Sequence, residues 1–262
     1  MMKLDDYLAR IAYAGVREPN ATTLAALQRA HLFAVPFENL SIGWGEPIVL
    51  DVAQHYEKIV DRKRGGFCYE QNSLFAWALV ELGFSVNRLA AGVWSPDRPG
   101  DGFGDEFGHM ALRVALDEAW LADVGFGDNF RAPLRLTEDI EQLEGARAFR
   151  LTRDGERLVM EMREADGVWQ KRYRFALIAR PIEAFAAMCR FHQTSKLSPF
   201  TQKRVCSLAT ESGRITLSGD EWIATRRDGT RCVTLIAGEA EAERLLLQHF
   251  GIETPTTWPK CT

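Results

Sequence analysis

The 262-residue chain contains no apolar run of membrane-spanning length; the longest, residues 74–84, is short and carries Glu81. Asp5 and Asp6 stand where a signal peptide would need its apolar stretch, so neither secretion nor a membrane is expected. The five cysteines, Cys68, Cys189, Cys206, Cys232 and Cys261, are scattered and odd in number, with no CxxC pair. That pattern excludes a disulfide framework and a cysteine zinc site, and a reduced cytoplasmic setting is the expectation. HExxH is missing, and Cys189-Arg190-Phe191-His192 is only half of a ligand pattern, so no metal is expected. Neither GxxxxGK[ST] nor a full GxGxxG occurs, so nucleotide phosphates would have to be held in another way. No block of like charge, internal repeat or low-complexity stretch is present. The formal net charge of −4 argues against a nucleic-acid partner.

What is present is enough apolar material, 46% of residues, to bury a substantial core. The first third reads helical. Asn20 can cap a helix that stops before Pro36, and Asp51 can cap a second. A third starts near Cys68 and carries Leu74, Phe75, Ala78, Leu79 and Leu82 at helical spacing up to Gly83. From Phe84 the pattern changes to strands, over residues 86–94, 110–116 and 120–124. A hairpin is expected around Asp154-Gly155, another strand after Asp166-Gly167, and strands again over 204–209, 214–217 and 221–226. Pro181 opens a helix to about Phe191, as a residue suited to the first helical position, and residues 239–250 form a closing amphipathic helix. Helices followed by antiparallel strands indicate an α+β fold.

Chemistry concentrates at Arg64-Gly65-Gly66-Phe67-Cys68-Tyr69-Glu70-Gln71-Asn72. A cysteine at a helix start meets free backbone N–H groups and the positive end of the helix dipole, which favour a thiolate. Gly65 and Gly66 permit a tight entry turn and close approach of a substrate to the backbone. An inert buried cysteine is nonetheless the commoner fate of a lone thiol. His109, at the start of a strand after a glycine-rich loop, could act as its base and form a Cys–His ion pair. Asp123, among Leu121, Val124 and Phe126, needs a partner if buried, and His109 is the natural one. His31, His55, His192 and His249 have no comparable surroundings and read as core or surface filler.

The Cys68 segment resembles the active-site signature of the arylamine N-acetyltransferases. The likeness extends to Pro36-Phe37-Glu38-Asn39-Leu40, His109-Met110 and Trp120-Leu121-Ala122-Asp123-Val124-Gly125-Phe126-Gly127, with the histidine 41 positions after the cysteine and the aspartate 14 after that. The resemblance implies a helical bundle over 1–83 carrying Cys68 and an antiparallel β-barrel over 84–190 carrying His109 and Asp123. A linker and α/β lid would follow over 191–262, the first two units forming a cysteine-protease-like core. It implies ping-pong transfer of acetyl from acetyl-CoA, through acetyl-Cys68, to an arylamine, arylhydrazine or N-arylhydroxylamine. Cys68, His109 and Asp123 would be catalytic, and Phe37, Gly125, Phe126 and Gly127 would meet substrate. The segment from Phe191 to Phe200 matches the family pattern only in part. Alternatives are an amide synthase of the same superfamily, with the same triad and another acceptor, and a non-catalytic small-molecule-binding relative.

Two geometric expectations follow. Arg64 and Glu38, flanking signature segments, should pair and brace the turn before Cys68. His109 and Asp123 must also share one face of a hairpin. A two-residue turn at Asp117-Glu118 would put them on opposite faces. An odd loop or a bulge between Arg113 and Leu121 is therefore expected. A three-residue loop would set His109 opposite Gly125, with Asp123 as its diagonal neighbour.

Overall fold

The structure, a computed structural model, describes residues 1–164 and 167–255. Asp166, expected in a turn, and Cys261 lie outside the described residues. The N-terminal part comprises α1 (Leu4–Arg10), α2 (Ala21–Ala34), β1 (Phe37–Glu38), α3 (Leu40–Trp44), α4 (Val52–Tyr56) and α5 (Cys68–Glu81). The Asn20 side chain accepts from Thr23 N–H and Asp51 from Ala53 N–H, so both expected caps form. After α4 the chain widens into a single π-helical stretch, Glu57–Asp61, which turns Lys58 inward. Helix α5 is buried almost all round for its first nine residues, because it lies between the other helices and the sheet that follows.

That sheet has eight strands: β2 (Ser85–Val93), β3 (His109–Ala115), β4 (Ala119–Ala122), β5 (Leu134–Arg135), β6 (Gln142–Glu144), β7 (Arg147–Asp154), β8 (Arg157–Arg163) and β9 (Trp169–Ala179). Its order is β5-β4-β3-β2-β9-β8-β7-β6, all antiparallel. Register shifts in the β2–β9 and β8–β9 pairings help curl it. Its two edges nearly meet: Gln142 accepts from Arg135 N–H at 2.7 Å and donates to Arg135 O at 3.1 Å. The result is a nearly closed barrel filled by Leu89, Leu121, Phe149, Met160 and Phe175. The β7–β8 hairpin closes at Asp154 opposite Arg157, so its turn is Gly155-Glu156, one residue later than expected, with Gly155 at φ +60°.

Past the barrel, Pro181 is extended and precedes a short 3₁₀ turn (Ile182–Phe185) rather than occupying the first α-helical position. Helix α6 (Ala186–Thr194) runs on past Phe191, so the division drawn at 190/191 cuts through it. Then come α7 (Pro199–Gln202), β10 (Val205–Thr210), β11 (Gly213–Ser218), β12 (Glu221–Arg226), β13 (Arg231–Leu235) and α8 (Glu239–Phe250). The second sheet, β1-β10-β11-β12-β13, takes its first strand from the N-terminal part: Phe37 pairs with Ser207 and Glu38 with Cys206. Its core lies between the sheet and α8, around Cys206, Leu217, Leu246 and Phe250.

Candidate active site

Cys68 is the first residue of α5 and is almost fully buried. Phe67 before it has no acceptor, but Glu70 reaches back to the Phe67 N–H at 3.1 Å and satisfies that end of the helix. Gly65 and Gly66 are needed here, though not to admit substrate. A Cβ on Gly65 would stand 1.9 Å from Pro36 O, and one on Gly66 would stand 2.8 Å from the Glu70 side chain. The room they leave is used by the protein itself. β1 also meets this turn, with Glu38 N–H donating to Gly66 O at 3.0 Å.

The β3–β4 hairpin has the odd loop that shared facing requires. Ala115 pairs with Ala119 and Leu112 with Ala122, leaving residues 116–118 as a three-residue loop. Continuing that register sets His109 opposite Gly125 and turns His109 and Asp123 to the same side. Their side chains meet, His109 Nε2 to Asp123 Oδ2 at 2.8 Å, and both are buried. The other carboxylate oxygen accepts from Asn72 Nδ2 and from Gly125 N–H, each at 2.9 Å. Asn72 also donates to Met110 O at 2.6 Å and accepts from Val124 N–H at 3.0 Å. Gln28 on α2 accepts from Asp123 N–H at 3.1 Å. With Nε2 donating to Asp123, neutral His109 has its lone pair on Nδ1.

Gly125 lies directly over Cys68, where a Cβ would stand 2.6 Å from Cys68 Cα; only glycine lets the strand come so close to the helix. Burial pushes the Cys68 thiol well above its ordinary value. The backbone N–H groups of Met110 and Tyr69 pull it down, while nearby Asp123 and Cys189 add to the rise. A thiolate alone is therefore disfavoured here, which refines the expectation of a thiolate held by the helix. The proton can leave sulfur only if a base receives it, and His109 lines the same cavity as Cys68.

Cys68 and His109 line one cavity of about 750 Å³, together with Phe37, Gly125 and Phe126. The Phe126 ring stands edge-on to His109 at 5.1 Å and tilted against Tyr173 at 5.2 Å, with the Arg172 guanidinium over it. Gly127, at φ +90°, lies outside this cavity; it lines the adjoining cleft, which shares Phe37, Phe126 and Val205 with it.

A family model described as N-acetyltransferase matches residues 20–258. The chain is 35% identical to the pineal gland isozyme NAT-3 arylamine N-acetyltransferase of Gallus gallus, over 96% of this chain and 94% of that protein. The chain belongs to the arylamine N-acetyltransferase family. It is accordingly an acyltransferase. It is also 34% identical to the arylamine N-acetyltransferase of Mycolicibacterium smegmatis, over 96% of this chain and 92% of that protein. Among solved structures, the Mycobacterium marinum arylamine N-acetyltransferase in complex with CoA superimposes with a TM-score of 0.88 at 34% identity, covering 95% of this chain and 93% of that one.

Several residues of this acetyltransferase escaped sequence reasoning. Asn72 stands four residues after Cys68, one helical turn on, and that spacing was the available signal. Gln28 offered none. His192, read as filler, is a wall of the cavity that holds Cys68. Its ring nitrogens lie 3.1 Å from Gly108 O and 3.3 Å from Ser198 Oγ, and its ring packs on Phe200. Beneath the Cys68 turn, Arg64 donates to Glu38 at 2.8 and 3.1 Å, as expected, but the pair is part of a larger cluster. Lys58 lies 2.8 Å from Glu70 and 3.5 Å from Glu38, and Arg64 also packs over the Trp44 ring. Burial pushes Glu38 up, but Lys58, Arg64 and the Leu40 N–H more than offset it and hold the carboxyl below its ordinary value. Burial wins at Glu70, which is raised in spite of Lys58.

Proposed function

We propose that this chain transfers acetyl groups from acetyl-CoA to arylamines and arylhydrazines, and to the oxygen of N-arylhydroxylamines, by a ping-pong route through acetyl-Cys68. The observation that carries this reading is one cavity holding a helix-start cysteine beside a histidine fixed by a buried aspartate. In the first half-reaction His109 Nδ1 takes the Cys68 proton as sulfur attacks the thioester carbonyl. The S–C bond to coenzyme A then breaks, and the departing thiolate takes the proton from His109. The N-terminal end of α5 offsets the negative charge developing on the carbonyl oxygen. In the second half-reaction the amine nitrogen attacks the acetyl-sulfur carbonyl, gives its proton to His109, and Cys68 leaves and is reprotonated. Asp123 holds the imidazole orientation throughout and stabilises its cationic form.

The cavity's chemistry supports a flat aromatic acceptor: five phenylalanines, Phe37, Phe103, Phe126, Phe191 and Phe200, line it. The CoA complex of the M. marinum relative supports the donor. Intact-mass measurement after mixing with acetyl-CoA alone tests the reading. One acetyl group should appear, map to Cys68, and be discharged by an arylamine. Acetylation persisting on another cysteine in Cys68→Ser would reject it. An adduct stable to arylamine would favour the amide-synthase alternative.

A further inference from the structure

A second cavity, of about 310 Å³, opens where the helical part, the barrel and the second sheet meet. Six arginines line it: Arg29 from α2, Arg131 from the loop after β4, Arg147 from β7, Arg214 from β11, and Arg226 and Arg227 from the end of β12. The only acids in the lining are Asp128 and Glu144, in a chain whose formal net charge is −4. Composition therefore does not account for the cluster.

The local carboxylates fall one short of the six arginines, with Asp228 beside Arg226 counted among them. Glu144 spends an oxygen on the backbone N–H groups of Arg131 and Ala132, at 2.6 and 3.2 Å. Asp128 is shared between Arg147, at 2.8 Å, and Arg214, at 3.5 Å. Arg29 and Arg227 divide a single carboxylate, Glu211. The Arg131 guanidinium ends on neutral carbonyls, Thr210 O at 3.1 Å and Gly213 O at 2.5 Å. Glu164, outside the lining, takes a further contact from Arg147 at 3.4 Å. Burial lowers Arg131 and Arg214 below the ordinary arginine value; Glu144 and Asp128 oppose this, and neighbouring arginines add to it, while Arg147, held by Asp128, is raised.

We propose that this arginine-lined cavity binds a small multivalent oxyanion of the diphosphate class, independently of the catalytic cavity. Partly buried like charges are stabilised by a counter-charge, and planar guanidinium forks brought together from five segments suit phosphoryl oxygens. A single carboxylate would neutralise one arginine; a diphosphate can engage several. No residue lines both this cavity and the one holding Cys68, and the cleft adjoining the latter shares only Asp128, Arg214 and Thr225 with this one.

Calorimetric titration of the full chain with metal-free diphosphate at constant ionic strength tests this. Arg29→Gln and Arg226→Gln lie on exposed parts of the rim, away from Cys68, and should leave acetylation by acetyl-CoA unchanged. One saturable site is expected, with affinity falling about ten-fold or more in each variant, the scale of a lost charge-assisted hydrogen bond. Binding should persist in the presence of saturating CoA. No saturable heat, affinity unchanged from that of the unaltered chain in either variant, equal affinity for citrate, or competition by CoA would each overturn the proposal.

Discussion

The carboxylates of Asp123 and Glu38 are both completely buried, and they are satisfied in opposite ways. Asp123 is held by neutral donors, Asn72 Nδ2 and Gly125 N–H on one oxygen, with His109 on the other. Glu38 is held by cations, Arg64 and Lys58, with one backbone N–H. Among these contacts of Asp123 the only partner that can gain a proton is His109. Around Glu38 the charges compensate each other and leave nothing to move. On the proposed mechanism the first arrangement handles a proton and the second is a brace, although both converge on the first turn of α5.

The sharpest way to break this comparison is Asp123→Asn. Its Oδ1 can keep both neutral donors, but the amide must then point at His109 Nε2. That forces the proton to Nδ1 and removes the base. Acetylation of Cys68 in single-turnover measurements should fall by about 10⁴-fold, the scale of a wrong-tautomer triad. The denaturation midpoint should move little. A variant as destabilised as a broken ion pair would make Asp123 a brace as well.

Glu38→Gln should show the reverse profile. It leaves Lys58 and Arg64 buried without their shared carboxylate, at a cost of about 3–5 kcal/mol in chemical denaturation. Activity should fall with the folded fraction rather than through the chemical step. Full stability and full activity together would reject the brace.

The contrast also explains which parts were legible in the sequence. Cys68, His109 and Asp123 could be read because reactive residue types recur in a known order, and because strand parity demands an odd hairpin loop, which the residue 116–118 loop supplies. The Arg64–Glu38 pair was legible from flanking charge. Lys58 and Glu70 were not, because their meaning depends on a π-helical stretch turning Lys58 inward and on α5 folding back over it. β1 is two residues long and finds β10 far along the chain, so it carries no periodicity to read. β13 is exposed on every residue and lacks the alternation that marks a half-buried strand. His192 joins the cavity only through the packing of α6 and α7, a long-range event with no local signal.

A smaller effect sharpens the claim that the Cys68 proton must go to His109. In the unaltered chain, iodoacetamide should modify Cys68 well below pH ~8.5, the reference value of a free thiol. In His109→Gln, burial acts without a base to receive the proton, so the rate at neutral pH should drop about ten-fold for each unit by which the thiol rises. Cys232, which is exposed, is the internal reference, and Cys189, pushed up to about 12 by burial, the slow control. Equal rates at Cys68 and Cys232 in the unaltered chain would remove the ion-pair argument.

The smallest expected effect separates the two regions by acid lability. His31 and His55 are buried and neutral, their values lowered by burial to about 3 and about 4. Both neighbour the brace: His31 Nε2 contacts Gln71, which donates to Gly66 O, and His55 feels Lys58. Above pH ~6.5, the unperturbed histidine value, neither the folded nor the unfolded chain protonates them, and they contribute no pH dependence. Below it the unfolded chain takes up protons that the folded chain refuses, so stability falls on acidification by about 1.4 kcal/mol per pH unit for each histidine. That fall should continue until pH approaches each lowered value. Glu38 acts in the same direction but lower down: its depressed value makes its contribution full above the ordinary carboxylate range, lost as pH falls through the folded value. Denaturation midpoints measured from pH 8 to 5 should therefore be flat, then decline. His31→Gln should shallow the decline by one histidine's share, whatever its effect on the plateau. A decline unchanged in slope would show that the acid-sensitive groups lie elsewhere, and the brace would no longer be the region that yields first.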